Sequence, residues 1–485
     1  MDPHLVGLDF GTTALKAVLF QGAREVHRLN FPYPLNHDLP GQASHRLPQL
    51  LDAYERALDE LEAYCAAQGI QPAAVGFSNV MHSLITVSAE GPSEVYTWAD
   101  ARADTGGHPP SFLFDHTGVP YHPMTPAVKL AWLTRTQDAR AWQRVSGLKE
   151  EVLLRSFGVF WTDTSTAAAT GLMNIDGHYD PEALRVAGVE AAQLPEIKPI
   201  DQPLPPLLQP YRSRYPRLAA AHWVIGASDG VTATEGLNIQ SARQAAVSVG
   251  TSSAIRTFSR GSALDPEARL FCYRVDDREP GGRYLVGGPS NNAGLVLNWL
   301  REHFQLPLTL EDLMTGTVPG ARGLLFLPAL AGERAPFWDP QLQGAMLGLG
   351  LHHTPGDIAR AGMEGVALHL AWLADLLRAQ VGPLDEIRVT GGLTRSPAWL
   401  QVLANALNQP VSLPQDAELF EGSAFGAARI AARGAGLSLE AERAYTQIHP
   451  NADQPLYARL GRQYRAAALA LRDLTHTLHA GTLAE

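Results

Sequence analysis

Short apolar runs separated by polar turns dominate the beginning of the chain. Residues 5–8 form one such run, residues 9–13 contain a glycine and two threonines, and residues 14–20 form a second run. This pattern predicts two strands joined as a hairpin. Apolar residues then recur at helical spacing between residues 45 and 68, and the apolar stretch 73–77 predicts a further strand. Strands that alternate with helices are typical of an α/β fold.

The opening pattern recurs near the middle of the chain. Residues 245–249 are apolar, residues 250–253 read Gly-Thr-Ser-Ser, and residues 254–258 form another mostly apolar run. Setting Gly11 on Gly250 aligns the two turns at an offset of 239 residues, close to half of the 485-residue chain. A repeat at this distance indicates two related units.

A proline-dense segment marks the end of the first half. Residues 193–216 contain seven prolines, and proline favours an extended connection over a helix. A domain boundary should follow this segment, and together with the repeat it predicts two lobes, residues 1–240 and 241–485. Each lobe would begin with its own hairpin, and the two lobes would face each other across a cleft.

Length and composition describe an ordinary globular protein. A chain of 485 residues allows about two to four domains. Its 45% hydrophobic and 18% charged residues lack the charge-rich bias of disordered proteins. The 38 basic and 49 acidic residues give a net charge of −11, so no overall positive field would attract nucleic acid or an anionic membrane. The charge balance favours a small-molecule partner.

The cysteines and the apolar segments indicate the compartment. Cys65 and Cys272 are the two cysteines and belong to no CxxC pattern, so neither a disulfide framework nor a structural zinc site is expected. Asp2 stands where a secretory signal has basic residues, and no run reaches the roughly 18–20 apolar positions of a membrane span. We therefore expect a cytoplasmic protein without a membrane segment.

Both glycine-threonine turns have the chemistry of phosphate-binding loops. Residues 11–13 and 250–252 offer successive backbone N–H groups and hydroxyls, with no bulky side chain at the glycine. Two such turns could hold one polyphosphate, and Asp9, just before the first turn, could hold Mg²⁺ through water. An ordinary hairpin turn without a ligand is the alternative for either motif taken alone.

Two further strand ends carry candidate groups. The apolar residues 223–225 run into Gly-Ala-Ser-Asp-Gly, which would bring Asp229 to a strand end, where α/β proteins place catalytic groups. Asp229 is either a general base for a hydroxyl or a capping acid of the following helix. Gly391 and Gly392 follow the strand-like residues 387–390 and could let a nucleotide approach the backbone, although a tight connection without ligand has the same pattern. The P-loop and dinucleotide-binding patterns are absent from the sequence.

These motifs together resemble those of the FGGY carbohydrate kinases, a family of the sugar kinase, actin and Hsp70 superfamily. The resemblance spans nearly the whole chain. Five motifs in the family's order carry it: residues 7–13 with Lys16, 226–230, 250–252, 332–336 and 390–392. Within the family, residues 78–85 and 122–126 are most similar to gluconokinases, while the Met-His and Trp-x-Asp-x-Arg patterns also occur in xylulokinases.

The resemblance implies an α/β fold of the two-lobed, actin-like ATPase (ribonuclease H-like) type, duplicated, with nucleotide and sugar in the cleft between the lobes. It implies a kinase that uses ATP and Mg²⁺ to phosphorylate the terminal hydroxyl of a sugar or sugar acid, with D-gluconate and its product 6-phosphogluconate favoured. A xylulokinase or another sugar or polyol kinase is the nearest alternative, and an actin- or Hsp70-like ATPase that binds protein partners is a more distant one. The expected partner is a small molecule, not nucleic acid or a membrane, and a homodimer is compatible with the resemblance.

The resemblance also assigns roles to individual residues. Asp229 would be the general base, and Asp9 and Asp229 would hold the magnesium ion. The residues implied at the nucleotide are Gly11, Thr12, Thr13, Lys16, Gly250, Thr251, Gly294, Asn298, Gly391 and Gly392. The residues implied at the sugar are Met81, His82, Trp98, Asp100, Arg102 and Arg334. Because a guanidinium binds a carboxylate through two parallel hydrogen bonds, Arg102 and Arg334 are the expected anchors of a sugar acid, with Lys129 behind them. A structural ion pair is the alternative role for Arg334.

Overall fold

A computed structural model describes residues 2–104, 112–304, 316–415, 421–439 and 443–482. The strands of the first half are β1 (His4–Phe10), β2 (Ala14–Gln21), β3 (Arg24–Pro32), β4 (Ser44–His45), β5 (Ala74–Asn79), β6 (Ile85–Ser88), β7 (Gly91–Pro92), β8 (Val95–Tyr96), β9 (Trp142–Ser146), β10 (Trp161–Asp163), β11 (Glu196–Lys198) and β12 (His222–Ser228). Its α-helices are α1 (Leu47–Gln68), α2 (Phe112–Thr117), α3 (Pro126–Leu133), α4 (Leu148–Phe157), α5 (Thr164–Ala169), α6 (Pro181–Ala187), α7 (Gln209–Arg214), α8 (Pro216–Ala219) and α9 (Asp229–Gly236).

The second half continues the same alternation of strands and helices. Its strands are β13 (Gln244–Val249), β14 (Ser253–Arg260), β15 (Phe271–Asp276), β16 (Arg283–Ser290), β17 (Leu325–Leu327), β18 (Ala345–Leu347), β19 (Glu386–Thr390), β20 (Val411–Pro414) and β21 (Tyr445–Ile448). Its α-helices are α10 (Gly294–Phe304), α11 (Pro355–Val381), α12 (Pro397–Leu407), α13 (Gly422–Gly434) and α14 (Gln454–Thr482). None of the helices in the described ranges combines the length and the apolar composition needed to cross a bilayer.

The first half builds a five-stranded sheet in the order β12-β5-β1-β2-β3. Strand β1 pairs antiparallel with β2, as the opening pattern predicted, and parallel with β5. Alternate residues of a strand point to opposite faces of the sheet. Val6, Leu8 and Phe10 share a core with residues of α1, whereas Leu5 shares a core with residues of α13. Because both faces of β1 are covered, six of its seven residues are buried.

The second half builds a seven-stranded sheet in the order β15-β16-β14-β13-β19-β20-β21. Its inner strands β16-β14-β13-β19-β20 repeat the order and directions of β3-β2-β1-β5-β12, and β15 and β21 extend the edges. The predicted duplication is confirmed. The two hairpin turns differ in length, because Phe10 pairs with Leu15 in the first and Val249 with Ser253 in the second. The residue-by-residue alignment of the two copies is therefore wrong beyond the turn, where the second copy is one residue shorter.

The proline-dense segment is not extended throughout, which corrects the expectation from the sequence. It contains β11 and the two short helices α7 and α8, with Pro210 and Pro216 in their first turns. Proline is tolerated there because the first N–H groups of a helix have no intrahelical partner. In this segment, prolines therefore occur in the first turns of helices as well as in the extended connections.

Helix α13 comes from the second half of the chain but packs on the first sheet and on α9. The backbones approach closely, since a Cβ atom on Gly426 would lie 1.8 Å from the carbonyl oxygen of Thr232. A Cβ atom on Gly7 of β1 would likewise lie 1.9 Å from the carbonyl oxygen of Ala424. The second half thus contributes to the core of the first lobe, and a division of the chain at residue 240 stays a prediction.

Candidate active site

A cavity of about 190 Å³ lies between the two halves of the chain. The first half supplies six of its lining residues, which are Thr12, Met81, His82, Trp98, Met124 and Asp229. The second half supplies eight, which are Ser248, Ser252, Ser253, Arg256, Phe271, Tyr273, Pro289 and Arg334. The fold therefore brings Asp229 together with four of the six residues implied at the sugar.

Asp229 stands at the end of β12 and is the first residue of α9. The backbone N–H groups of Gly230 and Met81 donate to its Oδ1 atom at 2.8 and 3.3 Å. Burial raises the pKa of Asp229, while Arg256 and these two N–H groups lower it. Within the described residues both hydrogen bonds go to Oδ1, so Oδ2 is left to accept a proton from a hydroxyl in the cavity.

Asp9, the predicted metal ligand, is the next-to-last residue of β1 and lies close enough to Asp229 for the two carboxylates to interact. Its Oδ1 atom accepts a hydrogen bond of 2.7 Å from Ser78, whose Oγ atom also lies 2.8 Å from the hydroxyl of Thr232. The pKa of Asp9 is raised to about 6, mainly by burial; the charge of Asp229 acts in the same direction, while the hydrogen bond from Ser78 and the charge of Lys16 oppose it. Two carboxylates that repel each other fit Mg²⁺, which takes one or two carboxylates together with water and phosphate oxygens. Across the described ranges no cluster of three or more acidic, histidine or cysteine side chains forms a complete protein cage.

In the first glycine-threonine turn, one threonine faces the cavity and the other faces solvent. The N–H of Gly11 donates to the carbonyl of Ala14 at 3.0 Å and closes the turn. The hydroxyl of Thr12 accepts a hydrogen bond of 3.0 Å from Trp98 Nε1 and lines the cavity, whereas Thr13 is exposed. Thr12 therefore shares the cavity wall with Trp98, one of the residues predicted at the sugar.

The second turn is surrounded by the other predicted nucleotide residues. The N–H of Gly294, at the start of α10, donates to the carbonyl of Gly250 at 2.9 Å, and that of Leu295 donates to the carbonyl of Thr251 at 3.1 Å. Gly391 has a φ of 105°, and a Cβ atom there would lie 2.4 Å from the carbonyl oxygen of Val249, so a side chain is excluded. Gly250, Thr251, Gly294 and Gly391 thus meet at one place.

The remaining nucleotide candidates lie further out. Gly392 follows Gly391 and has open space in the direction of a Cβ atom. Asn298 is exposed one helical turn beyond Gly294 on α10. Lys16 forms a salt bridge of 2.8 Å with Glu421, just before α13, so in this arrangement its charge is neutralised by a carboxylate and its contact with phosphate stays a prediction.

The predicted sugar residues on the cavity wall have defined hydrogen-bonding roles. His82 has a φ of 66°, uncommon for a residue with a side chain, and its Nδ1 lies 2.8 Å from the carbonyl oxygen of Ala169. Because a carbonyl only accepts, Nδ1 carries the proton and Nε2 can accept from a sugar hydroxyl. Burial lowers the pKa of His82 to about 3, which keeps the ring neutral. The guanidinium of Arg334 lies over the Trp98 ring at 4.7 Å from its centre.

The fold does not bring Asp100 and Arg102 to the cavity wall. Arg102 holds Asp100 through Nη2 at 2.6 Å and Glu94 at 2.7 Å, and the carboxylate of Asp100 also accepts from the N–H of Ala43 at 3.0 Å. These groups fix the loop that carries Trp98. The direct contacts with substrate implied for Asp100 and Arg102 stay a prediction that this pairing does not support. Lys129 is likewise fully buried behind the cavity.

Arg256 is the charged residue of the cavity wall that the sequence had not indicated. It lies in β14, where its Nη1 atom donates to the hydroxyl of Ser248 at 3.1 Å. The available signal was a charged residue inside the otherwise apolar run 254–258, since a strand of that kind is expected to be buried. Phe271 and Tyr273 come from β15, an edge strand for which the repeat offered no counterpart.

Two ribonuclease H-like sheets facing a shared cavity, with a carboxylate at its centre, define the class of two-lobed enzymes with an actin-like ATPase fold. Models of the two domains of the FGGY family of carbohydrate kinases match this chain, the N-terminal domain at residues 4–204 and the C-terminal domain at residues 245–435. The chain belongs to the FGGY family of carbohydrate kinases.

Individual relatives support the family and divide on the substrate. The gluconokinase of Bacillus subtilis (strain 168) is 34% identical over 88% of this chain and 86% of its own length. A crystal structure of a gluconate kinase from Lactobacillus acidophilus is 31% identical, with a TM-score of 0.87, over 97% of this chain and 98% of the other. A structure of a ligand-bound xylulose kinase from the same organism has the same identity, TM-score and coverage.

Proposed function

We propose that this carbohydrate kinase transfers the γ-phosphoryl group of ATP to the terminal hydroxyl of a sugar acid, and that its substrate is D-gluconate. The hydroxyl oxygen forms a bond to the γ-phosphorus, the bond between this phosphorus and the bridging oxygen of ADP breaks, and Asp229 takes the hydroxyl proton. The products are 6-phosphogluconate and ADP.

The placement of Asp229 is the observation that carries the proposal. Its Oδ1 is fixed by two backbone N–H groups, its Oδ2 is available, and burial raises its pKa toward the range in which a carboxylate is an effective general base. Both glycine-threonine turns begin from strands that neighbour the cavity, so a phosphate chain held between them would present its last phosphorus to a hydroxyl at Asp229.

The other groups supply positioning and charge, which account for most of the catalysis in phosphoryl transfer. We assign the backbone and hydroxyls of the turns at Gly11 and Gly250 to the phosphates, and the region of Gly391 and Gly294 to the adenosine. Asp9 and Asp229 would hold Mg²⁺, which neutralises the charge of the phosphate oxygens when bound. His82 accepts from one of the sugar hydroxyls.

Two considerations favour a sugar acid over a neutral sugar. Arg256 and Arg334 bring two positive charges to a cavity wall on which Asp229 is the one carboxylate among the described lining residues, and a guanidinium binds a carboxylate tightly. Two of the relatives described above are gluconate kinases. A xylulose kinase is the second candidate, because an equally similar structure is described as one.

A substrate panel tests the proposal. Release of ADP is measured with D-gluconate, D-xylulose, glycerol and no sugar at equal concentrations, and we expect the highest kcat/KM for gluconate. A preference for xylulose would support the second candidate. ATP hydrolysis that no sugar changes would instead favour the actin- or Hsp70-like ATPase.

The role of Asp229 is tested by substitution. Asp229→Asn should lower kcat about 1000-fold, because the amide keeps the shape of the side chain but cannot take the proton. Asp52→Asn on the exposed face of α1 is the matched control and should retain the wild-type kcat. A kcat of Asp229→Asn within tenfold of the wild-type value would contradict the assignment.

A further inference from the structure

The cavity wall formed by the second half carries buried hydrogen-bonding atoms that lack a partner within the described structure. Four buried side-chain atoms on this wall have no hydrogen-bond partner within the described structure: Ser253 Oγ, Arg256 Nε, Tyr273 Oη and Arg334 Nε. None of the six lining residues of the first half has such an atom. Buried polar atoms are normally satisfied, so a cluster of unpaired ones indicates that a ligand completes it.

The unpaired atoms on this wall call for an anionic ligand. An arginine N–H can only donate, and the hydroxyls of Ser253 and Tyr273 can donate as well. The pKa of Arg334 is lowered to about 10, mainly by burial; the charge of Glu333 opposes this, and the neighbouring charge of Arg256 contributes to the lowering. Two guanidiniums that repel each other in a partly buried place are stabilised when an anion binds between them.

A glycine in the neighbouring strand makes room for the side chain of Arg256. Gly287 on β16 pairs with Arg256 on β14 and with Phe271 on β15. A Cβ atom on Gly287 would lie 3.1 Å from the Cγ atom of Arg256, so the glycine lets the Arg256 side chain lie across β16. Tyr273 follows two residues after Phe271 on the same face of β15. Arg256 and Tyr273 therefore reach the cavity from one face of the sheet.

The position of Arg256 favours the sugar end of the cavity over the phosphate end. Strand β14 begins at Ser253, and Arg256 lies three residues further along, which places its Cα about 10 Å beyond the end of the turn. A nucleotide held by the turns at Gly11 and Gly250 would occupy the other end. An extended six-carbon acid has its terminal hydroxyl and its carboxylate at opposite ends, so it can reach Asp229 with one and this wall with the other.

We infer that Arg256, Tyr273 and Arg334 form the subsite that binds the carboxylate of a sugar acid, and that Arg256 makes the enzyme select acids over neutral sugars. This inference rests on the proposed kinase function and deepens it. It assigns to Arg256 the anchoring task that the sequence had given to Arg102, whose guanidinium is bound to Asp100 and Glu94.

The test compares D-gluconate with D-glucitol, the alcohol that has the same carbon chain with CH₂OH in place of the carboxylate. The measured quantity is the ratio of kcat/KM for gluconate to that for glucitol. Where glucitol is bound but not phosphorylated, the ratio of its inhibition constant to the KM of gluconate is used. Arg256→Met should lower this ratio about 100-fold, because the carboxylate loses a charged hydrogen-bonding partner in a desolvated site. The ratio for Arg256→Lys should lie between those of the wild type and Arg256→Met, since lysine keeps the positive charge but lacks the planar guanidinium that forms two parallel hydrogen bonds.

A matched control separates the local effect from a general one. Arg260→Met removes a guanidinium from the exposed end of the same strand, 84% accessible at its side chain, and should leave the ratio unchanged. Thermal melting of each variant reports whether it is folded. If Arg256→Met is folded and has the same gluconate-to-glucitol ratio as the wild type, the subsite is overturned. The subsite is also overturned if the substitution changes only the KM of MgATP, because Arg256 would then be assigned to the nucleotide.

Failure of the subsite and failure of the proposed function give different results. A wild-type enzyme that phosphorylates neutral sugars and no sugar acid overturns the proposed substrate and the subsite together, before any variant is made. A wild-type enzyme that uses gluconate, with a gluconate-to-glucitol ratio that Arg256→Met leaves intact, overturns the subsite alone.

Discussion

At the scale of single residues, burial decides which charged groups do chemistry and which hold the chain in place. Asp229 and Arg256 lie on the cavity wall, and each influences the pKa of the other. Arg102 has the same charge as Arg256 but is bound by two carboxylates. The difference comes from their neighbours, since a guanidinium already paired with two carboxylates has fewer N–H groups available to bind a ligand.

The effect of burial on the pKa of Lys129 can be tested through the pH dependence of the free energy of unfolding. This residue is fully buried on α3, and its Nζ atom donates to the backbone carbonyl of Pro123. Burial lowers the pKa of Lys129 from 10.5 to about 7, although the charge of Asp100 opposes this. Between these two values the unfolded chain binds a proton at this site that the folded chain does not bind. The free energy of unfolding should therefore rise with pH across this window.

The measurement is urea unfolding of the wild type and of Lys129→Met between pH 7.5 and pH 9.5. The methionine has a similar volume and cannot be protonated, so other titrating groups cancel in the difference between the two proteins. The wild type should gain about 1.4 kcal/mol per pH unit relative to the variant. A difference that does not change with pH would mean that Lys129 keeps its proton in the folded protein.

At the scale of secondary-structure elements, α13 links the two halves of the chain. Its glycine and alanine residues let it lie close to β1, β5 and α9, while Phe425 packs against Phe20 with ring centres 5.2 Å apart. Glu421 just before it is bound by Lys16 and Arg28 from the first half. Helix α13 is therefore part of the first lobe by contact and part of the second by sequence.

Replacing Gly426 should show how closely α13 packs against α9. The Cβ atom of Gly426→Ala would lie 1.8 Å from the carbonyl oxygen of Thr232, so the helix must move away from α9. We expect a loss of about 3 kcal/mol in the free energy of unfolding, measured with urea.

Gly461→Ala on α14 is the matched control. It is also a helical glycine, but within the described structure no atom beyond its chain neighbours and the adjacent backbone of its own helix lies within 4 Å of its Cβ position. Alanine is favoured over glycine in a helix, so this variant should gain about 0.5–1 kcal/mol. Equal stability of the two variants would contradict the close packing of α13.

At the scale of the whole molecule, the site is divided between two bodies. The first half supplies the carboxylates Asp9 and Asp229, and the second supplies the guanidiniums Arg256 and Arg334. An ion pair of 2.5 Å joins Glu235 of α9 to Arg283 of β16 and so connects the two halves. We propose that the halves form two lobes, with a boundary near residue 240, that close on substrate and exclude water from the transferred phosphoryl group.

Closure is open to measurement by small-angle X-ray scattering. Addition of D-gluconate together with a non-hydrolysable MgATP analogue should lower the radius of gyration, because the ternary complex carries the groups that bridge the lobes. Gluconate alone, or the analogue alone, should give a smaller change. An unchanged radius of gyration with both ligands bound, with binding verified by calorimetry, would mean that the lobes do not close.

Much of the fold could be predicted from the sequence because its signals are local. The hairpin at residues 5–20, the helix at α1 and the strand end at Asp229 each follow from apolar spacing and turn residues within a few positions of one another. The repeat of the glycine-threonine turn was enough to predict the duplication, since a hairpin at Gly11 and a hairpin at Gly250 begin the same sheet order in each half.

The sequence by itself thus determined the two related α/β units, their glycine-threonine turns and the carboxylate between them. Only the tertiary structure decided that Arg256 belongs to the cavity, that Asp100 and Arg102 bind each other behind it, and that α13 returns to the first sheet. The physical reason is that strands and turns depend on neighbours along the chain, whereas a charged side chain is directed by whichever groups the packed sheets bring within hydrogen-bonding distance. Arg256 lies 27 residues after Asp229 along the chain, and nothing in that interval reveals that they share one cavity.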